Sequence, residues 1–245
     1  MPQPPEIPED FVRLLQSVDA GRALDVATGV GQFVQILSGR LGAFDEIVGI
    51  DTHEKALEHA RTNFDDARIR FESMDAAAMA YADDSFQTVA IANSLHHLED
   101  RTAVLSEMRR VLAPGGAWII MEMHADAPHE ASRVALDLHL WAAAMDRACG
   151  TYHAPVVGRQ ELISQVESMG LQDLRTAEWV SDLVNDSPEA IEQMIQAVDQ
   201  ARAKLADIPE SDELSEKADR LIERIRTHGI GQQPFLLFVG RLGRS

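Results

Sequence analysis

The first half of the chain alternates short apolar runs with stretches whose apolar residues recur at helical spacing. The apolar runs, many of them rich in β-branched residues, cover 23–27, 46–51, 68–75, 86–94 and 117–124. Helix-like stretches separate these runs, and the one at 100–113 stops at Pro114, Gly115 and Gly116. Strands that alternate with helices form a parallel sheet covered on both faces, and right-handed crossovers make that sheet doubly wound. The pattern therefore predicts an α/β fold.

The alternation breaks after residue 124. Residues 129–150 read as one long helix that ends at Gly150, and its apolar side is formed by Val134, Leu138, Trp141, Met145 and Ala148. A helix and a strand resume the earlier pattern over 159–180, and a last strand is predicted at 234–242.

Two further amphipathic stretches lie between residues 181 and 232. The first follows Ser187, a favoured helix cap, and Pro188, which suits the first helical turn. The second ends at Gly229, and a linker at 206–210 joins the two stretches. The segment is therefore predicted to be a helical hairpin.

The 245-residue chain is strongly acidic, with 22 Lys and Arg against 40 Asp and Glu and a formal net charge of −18. Proteins that bind nucleic acid or anionic lipid need a basic face, and the sequence contains no cluster of Lys or Arg. The simplest explanation of the acidity is solubility. It also favours a small substrate that is neutral or cationic over RNA or DNA, and we expect no nucleic-acid partner.

The cysteine content and the N-terminal segment bear on the compartment. Cys149 is the single cysteine, so no intramolecular disulfide can form, which suits a reducing compartment. Residues 1–11 hold prolines and acids where a signal peptide needs positive charge and an apolar core. No apolar run approaches the length that spans a membrane. These features predict a cytoplasmic protein with no membrane partner.

A glycine-containing loop follows the first apolar run directly. Gly29 and Gly31 lack side chains, so a ligand can approach the backbone there and meet N–H groups at the start of a helix. The alternative is a plain tight turn. Enzymes that bind dinucleotides need a third glycine for close helix–strand packing, and Val34 occupies that place. The loop therefore argues against a nicotinamide dinucleotide.

Asp51 ends the second apolar run, twenty residues beyond Gly31. A carboxylate at this place can accept hydrogen bonds from both ribose hydroxyls of an adenosine. The alternative is a helix N-cap, a role that aspartate often fills. The two roles are compatible.

Five sequence motifs occur in an order that resembles one enzyme family. They are LDVATGVG at 24–31, GID at 49–51, SMDAAAMAYADDSFQTV at 73–89, IANSLHHLED at 91–100 and MRRVLAPGGAWIIME at 108–122. Together they resemble class I S-adenosylmethionine-dependent methyltransferases, in the small-molecule branch that includes the ubiquinone/menaquinone C-methyltransferases. Ala27 stands where the family most often has its first glycine, although alanine also occurs there in this branch. Val30 replaces the threonine or small residue of many relatives.

The resemblance implies a Rossmann-like methyltransferase fold with a seven-stranded, mostly parallel, doubly wound sheet and helical lid insertions. It divides the chain into an S-adenosylmethionine-binding core (1–124), a helical lid insertion (125–158), a core helix and strand (159–180), a helical hairpin insertion (181–232) and a last core strand (233–245). A monomer or a homodimer is expected.

The resemblance also implies the cofactor, S-adenosylmethionine, and its product S-adenosylhomocysteine. Asp51 would bind the ribose, and Asp75 would meet the adenine amino group beside the amide of Ala76. The cofactor-binding residues expected in full are Asp25, Ala27, Thr28, Gly29, Gly31, Asp51, Thr52, Asp75, Ala76 and Asn93. The expected reaction is in-line displacement of the methyl group by a small-molecule acceptor, for which the protein mainly orients the acceptor and excludes water.

Four candidate catalytic residues lie just after the fourth predicted strand or at the carboxyl end of the fifth: His96, His97, Glu122 and His124. A base is needed only if the acceptor must lose a proton, and histidine titrates in the right range for that role. The alternative is that the histidines only shape the pocket and that Glu122 binds loop backbone. Histidines are numerous, but none shows metal-ligand spacing on one helix face and there is no second cysteine. We expect no metal.

Other interpretations stay open at this point. The helix over 130–149 and the hairpin over 182–229 are expected to form a lid that supplies the acceptor pocket through Trp141, Tyr152 and His153, or else a packing layer or dimer surface. A second function hypothesis is a non-catalytic S-adenosylmethionine-binding protein that acts through its helical lobe. A third is a dinucleotide oxidoreductase, against which Val34 and the paired last strands argue.

Overall fold

A computed structural model of the protein describes residues 7–203, 205 and 211–243. The described residues form seven strands: β1 Arg22–Val26, β2 Glu46–Asp51, β3 Ile69–Ser73, β4 Phe86–Ala92, β5 Leu112–Met123, β6 Gln172–Trp179 and β7 Phe235–Arg241. They also form eight α-helices: α1 Glu9–Gln16, α2 Gln32–Arg40, α3 Glu54–Thr62, α4 Arg101–Val111, α5 Glu130–Ala148, α6 Arg159–Glu167, α7 Pro188–Arg202 and α8 Ser211–His228. The linker predicted at 206–210 lies outside the described residues.

The seven strands form one sheet in the order β3-β2-β1-β4-β5-β7-β6. Neighbouring strands from β3 to β5 are parallel. β7 runs antiparallel to β5, because the Gly115 N–H donates to Leu242 O near the start of β5 while the His124 N–H donates to Pro234 O just beyond its end. The predicted α/β, doubly wound, mostly parallel sheet is confirmed.

The apolar runs that predicted the strands are buried, as expected for parallel strands covered on both faces. In β1 and β2 the interior positions are buried without interruption, including Leu24, Val26, Ile47 and Ile50. This burial explains why these strands read as continuous apolar runs and not as alternating patterns.

The structure differs from the sequence-based expectation at the start of β5. The helix was expected to continue to residue 113 and the strand to begin at 117, but α4 ends at Val111 and β5 begins at Leu112. Leu112 pairs with Phe86, while Ala117 pairs with Thr88, so the turn at 113–116 is an irregularity within the strand. Hydrogen bonds to Leu242 hold this irregular part in the sheet.

Helix α1 was not predicted, because it begins in the proline-rich and acidic N-terminal segment. Its residues Phe11, Leu14 and Leu15 are buried. The Phe11 ring packs edge-to-face on Trp179 of β6, with ring centroids 5.5 Å apart. The helix therefore covers the β6 end of the sheet.

The chain divides into two compact units. The sheet unit comprises residues 7–122, 162–179 and 236–243, and the helical unit comprises the described residues of 123–161 and 180–235. In the helical unit, α8 packs against both α5 and α7. The domain boundaries given above stay predictions.

The core of the helical unit is formed by the apolar stripes of its three long helices. Its members include Val134, Trp141, Ile195, Val198, Leu214, Ala218, Leu221, Ile222 and Ile225. The Trp141 Nε1–H donates to Leu214 O at 2.9 Å, so the buried indole is paired. The apolar stripe of α5 is thus covered within the chain. Within the described residues, no helix combines the length and the apolar character that crossing a membrane requires.

Candidate functional site

The loop after β1 is held in an unusual backbone conformation. Ala27, Gly29 and Gly31 all have positive φ, at 54°, 54° and 82°. A Cβ on Gly31 would come within 2.9 Å of the Phe64 ring, whereas a Cβ on Gly29 would meet nothing within 4 Å. Gly31 is therefore required for a tight turn, while Gly29 faces open space that a ligand can enter.

Asp51 at the end of β2 ties this loop to the next one. Its Oδ2 accepts the Gly29 N–H and its Oδ1 accepts the His53 N–H, both at 2.8 Å. The N-cap of α3 is His53, whose Nδ1 accepts the Ala56 N–H at 3.2 Å. The alternative in which Asp51 caps this helix is therefore wrong. Each carboxylate oxygen keeps a second lone pair for a further donor.

A cavity of about 420 Å³ opens at the carboxyl ends of β1, β2 and β3. Ligand cavities of small-molecule enzymes span roughly 300–1,000 Å³. The residues that line it are Ala27, Ile50, Asp51, Thr52, Met74, Asp75, Ala76, Ala77, His97, Leu98, Glu99, Asp100 and Val104. The cavity lies beside the junction of β1 and β4, where the strand order reverses and open α/β sheets bind their ligands.

The structure brings part of the predicted cofactor set together at this cavity. Ala27, Asp51, Thr52, Asp75 and Ala76 line it. The exposed Asp75 accepts the Ala77 N–H at 2.8 Å through Oδ1, which fixes the carboxylate at the mouth.

The other predicted cofactor residues lie behind or beside the lining. Thr28, Gly29 and Gly31 form the loop itself. Asn93 follows β4 with a φ of 49°, and its N–H donates to Met121 O at 2.8 Å. Asp25 lies within β1 and is buried.

Asp25 supports the loop from below. Its Oδ2 accepts the Thr28 hydroxyl at 2.6 Å, and no hydrogen bond to Oδ1 is found among the described residues. Burial raises the pKa of Asp25 to about 7, the Thr28 hydrogen bond lowers it, and the nearby Asp51 charge raises it further. Near neutral pH this carboxyl is therefore partly protonated.

Two of the predicted catalytic residues form a buried pair. The Nδ1 of His96 lies 3.0 Å from Glu122 Oε1, and Glu122 Oε2 accepts the Leu95 N–H at 2.9 Å. Glu122 thus holds both the imidazole and the backbone of the loop after β4. When Glu122 accepts the Nδ1 proton, the neutral ring carries its lone pair on Nε2.

The other two catalytic candidates have different surroundings. His97 lines the cavity, and its ring centroid is 4.3 Å from that of His96. His124 is buried in the helical unit, where its N–H donates to Pro234 O.

Sequence reasoning missed the lining that comes from the loop between β4 and α4. Glu99 and Asp100 contribute carboxylates to the cavity, and Asp100 also caps α4 by accepting the Ala103 N–H at 2.9 Å. The cue was present, since both residues follow a strand that ends at the ligand-binding edge of the sheet.

Comparisons with known proteins agree with this geometry. A family model described as a methyltransferase domain matches residues 23–116. The ubiquinone/menaquinone biosynthesis C-methyltransferase UbiE of Geobacter sulfurreducens is 35% identical over 115 residues, which are 45% of each chain. The demethylmenaquinone methyltransferase of Deinococcus radiodurans is 42% identical over 103 residues, 41% of this chain and 42% of that one. The chain therefore spans less than half the length of these curated relatives.

A solved structure extends the likeness in fold to most of the chain. Phosphoethanolamine N-methyltransferase 2 of Haemonchus contortus, in complex with S-adenosyl-L-methionine, superposes with a TM-score of 0.54 at 16% identity. The match covers 96% of this chain and 52% of the other. Residues 23–116 thus match a methyltransferase domain, and the predicted resemblance to class I S-adenosylmethionine-dependent methyltransferases of the ubiquinone/menaquinone C-methyltransferase type is confirmed.

Proposed function

We propose that the protein transfers the methyl group of S-adenosylmethionine to a small-molecule acceptor. The observation that carries this proposal is the charge of the cavity in the sheet unit. Among its described lining residues, four are carboxylates, Asp51, Asp75, Glu99 and Asp100, and none is Lys or Arg. Such a lining favours a ligand with net positive charge, as a sulfonium provides, and opposes the diphosphate of a dinucleotide.

The residues present fit this cofactor. We propose that Asp51 accepts the ribose hydroxyls with the lone pairs that Gly29 and His53 leave available. Asp75 and the amide of Ala76 would hold the adenine, and the open space at Gly29 admits the ligand close to the backbone. When bound, S-adenosylmethionine supplies a methyl group already activated by its sulfonium.

The chain's own contribution to the reaction is orientation, exclusion of water and, for acceptors that carry an acidic proton, proton removal. We propose His96 as the proton acceptor, oriented by Glu122 through the 3.0 Å contact at Nδ1. Glu122 also fixes the Leu95 backbone, so this carboxylate would act as a positioning residue. His97, on the cavity wall, would shape the site.

The proposal is tested by incubating the protein with methyl-labelled S-adenosylmethionine and a metabolite extract, then identifying the labelled product. Label is expected in a small molecule, with S-adenosylhomocysteine formed in equal amount. Asp51→Ala should lower the yield at limiting cofactor, and Asp65→Ala, an exposed aspartate outside the lining, should leave it unchanged. Cofactor binding without any labelled product would favour the non-catalytic binding protein, and absence of binding would refute both.

We propose a monomer or a homodimer as the assembly. The packing of α8 on the α5 stripe, in a core that α7 shares, supports the monomer, because it removes the apolar face that suggests a dimer surface. Light scattering at micromolar concentration distinguishes the two.

A further inference from the structure

A second cavity, larger than the first, lies within the helical unit. It measures about 580 Å³, is open to solvent on one side and is lined by α5, α8 and Pro155. Helix α5 contributes Asp137, Leu140, Trp141, Ala144 and Arg147, and α8 contributes Lys217, Arg220, Leu221 and Arg224. Both sets recur at intervals of three and four residues, so each is one stripe along its helix. The cavity is therefore the space between two facing helical stripes.

The charge of this cavity is opposite to that of the chain as a whole. Four of its lining residues are cations, Arg147, Lys217, Arg220 and Arg224, and one is an acid, Asp137. In the full chain, acids outnumber cations by 40 to 22. A local excess of cations in so acidic a chain indicates a site that attracts anions.

The cations differ in how firmly they are paired. Arg224 is bound to Asp137 and Glu130. Lys217 pairs with Glu213 at 2.7 Å and Arg220 with Glu216 at 3.7 Å, both between residues one helical turn apart and exposed to water. Exposed pairs of this kind contribute little free energy, so an incoming anion can compete for these cations.

The floor of the cavity is apolar and buried. Trp141 and Leu221 are buried, and the indole of Trp141 is fixed by its hydrogen bond to Leu214 O. Leu140 adds a leucine side chain that is 38% exposed. The cations therefore border a surface suited to an apolar or aromatic body.

We propose that this cavity binds a small organic anion, one that joins an apolar or aromatic body to a carboxylate, sulfonate or phosphate group. The apolar body would lie on Trp141, Leu221 and Leu140, while the anionic group would meet Lys217 and Arg220. No lining residue is shared with the cavity of the sheet unit, so the proposal does not depend on the proposed function.

Three probes with one aromatic body and different charges test the proposal by titration calorimetry. They are naphthalene-1-sulfonate, 1-naphthalenemethanol and 1-naphthylmethylammonium. The sulfonate is expected to bind about tenfold or more tightly than the other two, and its affinity should fall as salt rises, because two partly exposed cations attract it. Equal affinity for the three probes, or no saturable binding at millimolar concentration, would overturn the proposal.

Pairs of variants, one in the lining and one outside it, test whether the sulfonate binds in this cavity. Leu140→Glu adds a carboxylate to the lining and should weaken sulfonate binding roughly tenfold, whereas Leu183→Glu, at a leucine that is 62% exposed and outside the lining, should not. The double variant Lys217→Gln with Arg220→Gln should weaken sulfonate binding about fivefold or more. The control Arg226→Gln, at an exposed arginine of the same helix, should not weaken it.

The outcome of these variants is decisive in either direction. If the controls lose as much affinity as the cavity variants, the sulfonate binds elsewhere and the proposal fails. Circular dichroism checks that each variant is folded. If Leu140→Glu does not fold, the Lys217 and Arg220 double variant decides, because both of its substitutions are at exposed side chains.

Discussion

The two cavities of this protein differ in the sign of their charge and in how their polar groups are held. In the sheet unit, carboxylates line the cavity, and Asp25, His96 and Glu122 are buried behind it or beside it. In the helical unit, cations line the cavity from exposed positions on helix surfaces. Buried polar groups are costly to disturb and exposed pairs are not. Substitutions in the sheet unit should therefore have the larger effects.

The largest effect is expected at His96. If it accepts a proton from the acceptor, His96→Ala should lower kcat by about 10²–10⁴-fold with little change in cofactor affinity. Glu122→Gln should lower kcat less and shift its pH profile, because the amide orients the ring but cannot stabilise an imidazolium. His59→Ala, at an exposed histidine of α3, is the control. Normal turnover by His96→Ala would show that His96 and Glu122 have only a structural role.

The next effect is on the free energy of unfolding, which should change by several kcal/mol with pH because of Asp25. Its pKa is raised by burial to about 7 in the folded protein, against about 3.9 in an unfolded chain. The folded state binds more protons between these values, so the free energy of unfolding should fall as pH rises through the window, by about 4 kcal/mol in total.

Asp25→Asn tests this directly, since the amide keeps an acceptor for the Thr28 hydroxyl and cannot ionise. The free energy of unfolding, measured with urea and plotted against pH from 5 to 8, should lose most of its slope in this variant. It should keep that slope in Asp65→Asn, at an exposed aspartate. An unchanged slope would show that Asp25 is ionised in the folded protein over this whole range.

Asp51 should give the next largest effect, on cofactor affinity. Asp51→Ala removes charge-assisted hydrogen bonds worth about 1.5–3 kcal/mol, which corresponds to roughly ten- to a hundredfold weaker binding of S-adenosylhomocysteine. Asp51→Asn should be milder, but it places an amide nitrogen against either the Gly29 or the His53 N–H, so some loss remains. If Asp51→Ala is less stable but binds S-adenosylhomocysteine as tightly as the unmodified protein, Asp51 only connects two loops and does not bind the cofactor.

The smallest effect is expected at Ala27, whose φ of 54° is left-handed. Alanine costs about 1–2 kcal/mol there, and glycine removes that cost while adding freedom to the unfolded chain. Ala27→Gly should therefore stabilise the protein by about 0.5 kcal/mol. Ala23→Gly, at a buried strand position, should instead destabilise it by about 0.5–1 kcal/mol in thermal unfolding. A destabilised Ala27→Gly would show that the loop is not strained.

The sheet was predictable because parallel strands buried on both faces leave continuous apolar runs such as Ala23–Val26 and Glu46–Asp51. Local rules were less reliable at the ends of elements. His53, and not Asp51, caps α3, because a histidine nitrogen can accept the same N–H that an aspartate would. The start of β5 at Leu112 depends on hydrogen bonds to Leu242, a residue far away in sequence.

The helices of the helical unit were predictable, but the cavity between them was not. The stripes of α5, α7 and α8 are evident from spacing, yet spacing does not say which stripes face each other. The cations Arg147, Lys217 and Arg220 converge only because α5 packs beside α8. In the sheet unit, by contrast, the resemblance to the methyltransferases implied that Asp51 and Asp75 share a site, and the fold places the ends of their successive strands together.

The most direct test of the central claim is calorimetric titration of the protein with S-adenosylmethionine, S-adenosylhomocysteine and NADH. Both adenosyl ligands are predicted to bind at one site per chain, and binding should be weakened by Asp51→Ala and unaffected by Asp65→Ala or by Lys217→Gln with Arg220→Gln. NADH should not bind, because its diphosphate would meet the carboxylates of the sheet-unit cavity. Binding of NADH, with no binding of either adenosyl ligand at millimolar concentration, would contradict the account.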